Sequence, residues 1–221
     1  MRYFVASMLL AVAPVAAVAH MVMVVPNADG VGGVVVFSDT LAADPKVAMT
    51  KVQGLKLTAR SEAGKETPVE LTKAEHQLTT AKGFDGAKIV YGSVTYGFAS
   101  KAEVPAVIVY HPKFVAAGVT GKEAAVGDKC PLEIVPVTVG GKTRFQLLAL
   151  GKPVENGEGS VTRPDGKKEP LKTDKDGFTA AFEATGRYAA HLRFTEAKPG
   201  EHEGKKYAEA KHYATLVVDV K

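Results

Sequence analysis

The 221-residue chain has a single cysteine, Cys130, so no internal disulfide can form and the stapled folds of small secreted proteins are excluded. Set before Pro131-Leu132-Glu133-Ile134-Val135, Cys130 reads as a small buried apolar residue. Beyond its first 19 residues the chain has no apolar run of the roughly 20 residues that a membrane-spanning helix needs. It also has no field of one charge sign. Basic residues alternate with acidic ones, as in Lys122-Glu123 and in Glu201-His202-Glu203-Gly204-Lys205-Lys206, so no stripe points to nucleic acid. Enzyme signatures are missing as well: there is no Gly-x-Ser-x-Gly elbow, no His-Glu-x-x-His, no Walker loop and no Rossmann fingerprint. Asp165, Asp174 and Asp176 lack the twelve-residue loop with terminal Glu that calcium requires, and they read as hairpin turn residues. The expectation is a protein that is not an enzyme.

What is present begins with the leader. Arg2 is followed by an apolar stretch from Tyr3 to Val18, interrupted by Pro14, and Ala17-Val18-Ala19 is a small-x-small site of the kind signal peptidase cuts. Residues 1–19 therefore read as a secretory signal peptide, cleaved after Ala19. The finished protein is then periplasmic or secreted, without a membrane span, and starts at His20. Its formal charge is +3, from 27 Lys+Arg against 24 Asp+Glu once Arg2 is gone.

From there the pattern is that of strands. Val34-Val35-Val36-Phe37, Gly54-Leu55-Lys56-Leu57-Thr58-Ala59, Lys88-Ile89-Val90-Tyr91, Ser93-Val94-Thr95-Tyr96-Gly97 and Val104 to Tyr110 are short, rich in β-branched or aromatic residues, and set off by Gly, Asp, Lys and Pro. Helical periodicity is nearly absent. In the second half strands recur every 8–12 residues or so, and Asp165-Gly166 and Asp176-Gly177 supply residues suited to tight turns. The Gly/Ala-rich stretch 112–126 reads as a connector. The fold class expected is all-β: two antiparallel β-sandwich domains of immunoglobulin or transthyretin type, at 20–125 and 126–221.

"GKPVENGEGSV" followed by "TDKDGFTAAFEATGRYAAHL" resembles the transthyretin-like or carboxypeptidase-regulatory-like β-sandwich, a signature of about 50 residues that carries fold more than function. The whole stretch from His20 to the C-terminus, through "VVVFSDTLAADPKV", "VTYGFAS", "AVIVYHPK", "GDKCPLEIVPV" and "HYATLVVDV", resembles a periplasmic domain-of-unknown-function family linked to nickel uptake transport. The resemblance implies a secreted two-part β protein that binds or hands on a transition metal as an accessory of nickel or cobalt uptake, with a membrane metal transporter as its partner; the ion expected is nickel or copper. In the first strand that family usually has an aromatic shortly after the histidine, and Met21-Val22-Met23 stands here instead.

The residues point to metal independently. An N-terminal histidine offers its α-amine and Nδ1 as one chelating pair, and an amine with an ordinary pKa of about 7.7–8.0 gives up its proton to a metal near neutral pH. A third nitrogen would complete a set that suits Cu(II) or Ni(II). His111, at the end of a strand, and His212, ahead of the last strand, are the partners expected. His76, His191 and His202 are further candidates, in a polar segment, a strand and an acidic turn. Met21 and Met23 fall on one face of a strand, where core packing is expected although thioethers also suit Cu(I). A different reading of the same residues is a non-catalytic cell-envelope module that binds carbohydrate or protein, with His20 incidental.

Overall fold

A computed structural model describes residues 20–221 apart from Lys101, so the expected signal peptide, residues 1–19, lies outside the described residues. In chain order the strands are β1 (Met21–Pro26), β2 (Gly33–Ser38), β3 (Lys56–Ser61), β4 (Glu66–Val69), β5 (Thr72–Lys73), β6 (Gln77–Thr80), β7 (Ala87–Phe98) and β8 (Ala106–Val115). They continue with β9 (Leu132–Val139), β10 (Lys142–Ala149), β11 (Lys152–Pro153), β12 (Glu158–Thr162), β13 (Lys168–Lys172), β14 (Gly186–Glu196), β15 (Gly200–His202), β16 (Lys205–Tyr207) and β17 (Glu209–Val220). Among the described residues helix is confined to three short 3-10 turns, at 49–51, 121–123 and 127–129. The all-β class expected from the alternating patterns is what forms.

An eight-stranded sheet in the order β13-β12-β14-β17-β8-β7-β3-β4 is the centre of the molecule. The halves of the chain on either side of residue 125 meet inside it, because β8 pairs with β17 over ten residue pairs from Ala106–Glu209 to Val115–Val218. That pairing is parallel, a departure from the antiparallel expectation. No turn joins the two strands, and the shared burial of Val107, Phe114 and Val115 with Ala214, Leu216, Val217 and Val218 holds the ladder. The expected connector also begins later, since residues 112–115 complete β8 and the irregular stretch starts at Ala116.

Alternation gives the large sheet two unlike faces. Tyr110, Phe114, Tyr213 and Val217 face the four-stranded sheet β1-β2-β6-β5, in one core with Val22, Val24, Val35 and Phe37. Val115, Ala214, Leu216 and Val218 on the other face join the three-stranded sheet β11-β10-β9, in a core with Leu132, Ile134, Phe145 and Leu147. β1 is buried along its whole length, which its Met-Val-Met-Val-Val sequence suits. It is an edge strand, and an edge leaves carbonyls without a ladder partner. Thr215 supplies one: its hydroxyl donates to the Val22 carbonyl at 2.6 Å.

Two further expectations from turn chemistry can be followed. Asp165-Gly166 joins β12 to β13 with Gly166 at φ +80°, a conformation that costs glycine little. Asp176-Gly177 also turns, with Gly177 at φ +77°, but its flanks make only isolated bridges to β10. Asp174 holds that turn by accepting the N–H groups of Asp176 and Phe178 at 3.0 and 2.9 Å. Cys130 is buried, and burial pushes its thiol up to about 12, so it is inert at neutral pH.

Candidate metal centre

The β1–β2 hairpin decides what surrounds His20. Its register sets Met21 opposite Ser38, so one residue further out His20 stands beside Asp39, at the start of the loop that carries Asp44. The His20 Nε2 lies 3.0 Å from Asp44 Oδ2 and 3.7 Å from Asp39 Oδ1. The Lys46 backbone N–H, donating to Asp44 Oδ1 at 2.8 Å, and then the His20 ring hold the Asp44 carboxyl below the ordinary carboxylate range. An ionised carboxylate only accepts, so Nε2 is the nitrogen that carries the hydrogen and donates it. In the neutral ring this leaves the Nδ1 lone pair free, and Nδ1 is the nitrogen that an N-terminal chelate uses. The ring packs edge-on against Phe37 at 5.9 Å between centroids and keeps about a third of its surface exposed (34%). Tyr110 fixes the backbone there, its hydroxyl donating to the His20 carbonyl at 3.4 Å.

His111 and His212 are brought together, but on the other side of the large sheet. Tyr110 and Tyr213 point toward the β1 side, so their neighbours His111 and His212 point away from it. His111 Nε2 and His212 Nδ1 are 2.8 Å apart, Ser93 Oγ is 2.7 Å from His111 Nδ1, and Glu196 Oε2 is 3.4 Å from His212 Nε2. With Glu196 accepting from His212, the directions follow in turn: His111 donates to His212, and the Ser93 hydroxyl donates to His111. The two rings lie end to end, 5.1 Å between centroids and 23° between planes, an arrangement that suits an N–H···N bond better than two lone pairs converging on one ion. Burial pushes His111 down to about 3 and also lowers His212 despite Glu196. Both rings are thus neutral members of a hydrogen-bonded chain, and neither meets His20.

The other histidines are separate again. His76 stands 3.4 Å from exposed Glu75. His202 sits in the β15–β16 hairpin, where it lines a cavity of about 200 Å³ with His212, Glu196 and Tyr207. His191, on β14, has Ser160 Oγ 3.4 Å from Nδ1 and is pushed down to about 4, first by burial and then by Lys168 and Arg193. Among the described residues no three His, Cys, Asp or Glu side chains converge as a metal cluster. A metal held at His20 therefore needs the α-amine as a donor, with Asp39 and Asp44 acting through the ring and the local charge.

The sequence reading missed Asp39 and Asp44. They stand in "FSDTLAADPKV", and the signal that finds them is hairpin register, which runs a residue's partner on from Ser38 to Asp39. Ser93 and Glu196, the ends of the His111–His212 chain, carry no local signal. No family profile matches the chain, and no curated protein shows significant similarity to it.

Proposed function

We propose that the chain is an exported, periplasmic or secreted protein that binds a divalent transition-metal ion, Ni(II) or Cu(II), through the α-amine and Nδ1 of His20 once cleavage after Ala19 frees that amine. The observation that carries this reading is the Asp44 carboxylate on the His20 Nε2 at 3.0 Å. A carboxylate on the far nitrogen fixes the tautomer and ring orientation of a metal-ligating histidine and raises its basicity. Asp39 adds a second acidic oxygen at 3.7 Å, which favours a cation at this corner of the molecule. The bound ion would supply only a reversible coordination bond. Two protein donors leave positions open, which suits release to a membrane transporter over permanent storage.

Calorimetric titration of the secreted protein with Ni(II) and Cu(II), its N-terminus verified by mass spectrometry, tests the reading. His20→Ala abolishes the tight phase, and Asp44→Asn weakens it by about 10-fold to 100-fold, the usual cost of losing a partner behind a ligand. Unchanged affinity in His20→Ala would refute it.

A further inference from the structure

Near the head of β1 lies a partly open cavity of about 380 Å³. Alternation places Met21 and Met23 on one side of the strand, and both line the cavity, each nine-tenths or more buried. Facing them from β14 is His191, with Ser160 and Thr162 beside it on β12. Asp39 reaches the same wall; its Oδ1 has no hydrogen bond among the described residues and lies 3.7 Å from the His20 Nε2. The cavity is partly open to solvent, and two thioethers, an imidazole and the Asp39 carboxylate share its wall.

We propose that Met21, Met23 and His191 form a binding site for a soft monovalent metal ion, Cu(I), in this cavity. Thioether sulfur selects Cu(I) over harder ions, and imidazole completes such a set. His191 is suited to it: its one hydrogen-bond contact among the described residues is the long one to Ser160, and its ring is neutral at physiological pH. Met side chains carry three rotatable bonds and a polarisable sulfur, which suits them to adjust around an ion. Asp39 offsets the charge of the ion, while Lys168, the cation on the cavity wall, is exposed and screened by water. The site takes no donor from the His20 amine or ring; what it shares with the N-terminal chelate is the neighbouring charge of Asp39.

The test is competition for Cu(I) between the full chain and the coloured bicinchoninate complex, under anaerobic conditions with ascorbate. The wild-type protein withdraws one equivalent. The double variant Met21→Leu with Met23→Leu, close in volume and therefore folded, loses affinity by about tenfold or more, as does His191→Gln, whereas His20→Ala keeps it. Circular dichroism verifies that each variant is folded. Failure of the wild-type protein to take up Cu(I), or equal affinity in the double leucine variant, would overturn the site. A loss confined to His20→Ala would overturn it too, by assigning the copper to the N-terminal chelate.

Discussion

Lys113 and Glu133 make an ion pair inside the protein, with side chains 1% and 0% exposed. Such a pair is expensive to assemble and more expensive to break, because removing one partner leaves a charge in a low-dielectric interior. The two partners are not equivalent. Glu133 also accepts the backbone N–H groups of Val126 and Gly127 at 2.8 to 3.0 Å, so it keeps compensation when the lysine goes. Lys113 has no such second support, and burial already pulls its ammonium below the usual lysine range in spite of Glu133. Glu133→Gln is therefore expected to cost about 3–5 kcal/mol in urea unfolding at pH 7, and Lys113→Met clearly less. Equal costs would show that the Val126 and Gly127 amides do not stabilise the carboxylate. Neither partner announces itself in the sequence, since Lys113 stands in "YHPKFV" and Glu133 in "PLEIV". A charged residue within an apolar run reads as the solvent face of a strand until the packing of β8 against β9 is known.

At the scale of elements, β1 is the strand beside both proposed sites, and its edge is closed by Thr215. The strand has His20 at its head and carries Met21 and Met23, and the closing contact is the Thr215 hydroxyl on the Val22 carbonyl. Thr215→Val keeps the shape and removes the donor, leaving a buried carbonyl unpaired at a cost of about 1–3 kcal/mol. Thermal unfolding measures that cost, and amide hydrogen exchange locates it: faster exchange is expected along β1 and β2, with β9 and β10 unchanged. Loss spread evenly over all strands would contradict a local role. The strands themselves were legible because β-branched alternation is a local signal, as in Val34 to Phe37 and Ile89 to Tyr91. The pairing of β8 with β17 was not, since a parallel ladder between residues about 100 apart has no connecting turn to mark it. For the same reason His111 and His212 could be named as candidates one by one, but their contact with each other, and their separation from His20, could not.

At the scale of the whole molecule, buried His111 and half-buried His191 set a pH limit. His111 and His191 titrate at about 3 and about 4 in the folded protein, against about 6.5 in an unfolded chain. The unfolded state therefore binds protons that the folded state refuses, and stability that is complete above pH 6.5 is lost as pH falls toward 4. Each histidine that stays neutral contributes about 1.4 kcal/mol per pH unit across that window. Urea midpoints measured from pH 7.5 down to 4.5 should fall by an amount worth several kcal/mol, and a flat profile would mean that these imidazoles are not buried in neutral form. The shared eight-stranded sheet makes this a global loss, because His111 on β8 and His191 on β14 flank the same strand, β17.

The central claim concerns one atom, the backbone nitrogen of His20, and the most direct measurement changes only that atom's substituent. A single glycine inserted between Ala19 and His20 and retained after cleavage, as verified by mass spectrometry, keeps every side chain in place and turns the amine into an amide. Calorimetric titration with Ni(II) or Cu(II) should then show tight binding to the protein that starts at His20 and its loss, by at least about tenfold, in the extended one. Equal affinity with and without the glycine would contradict the account.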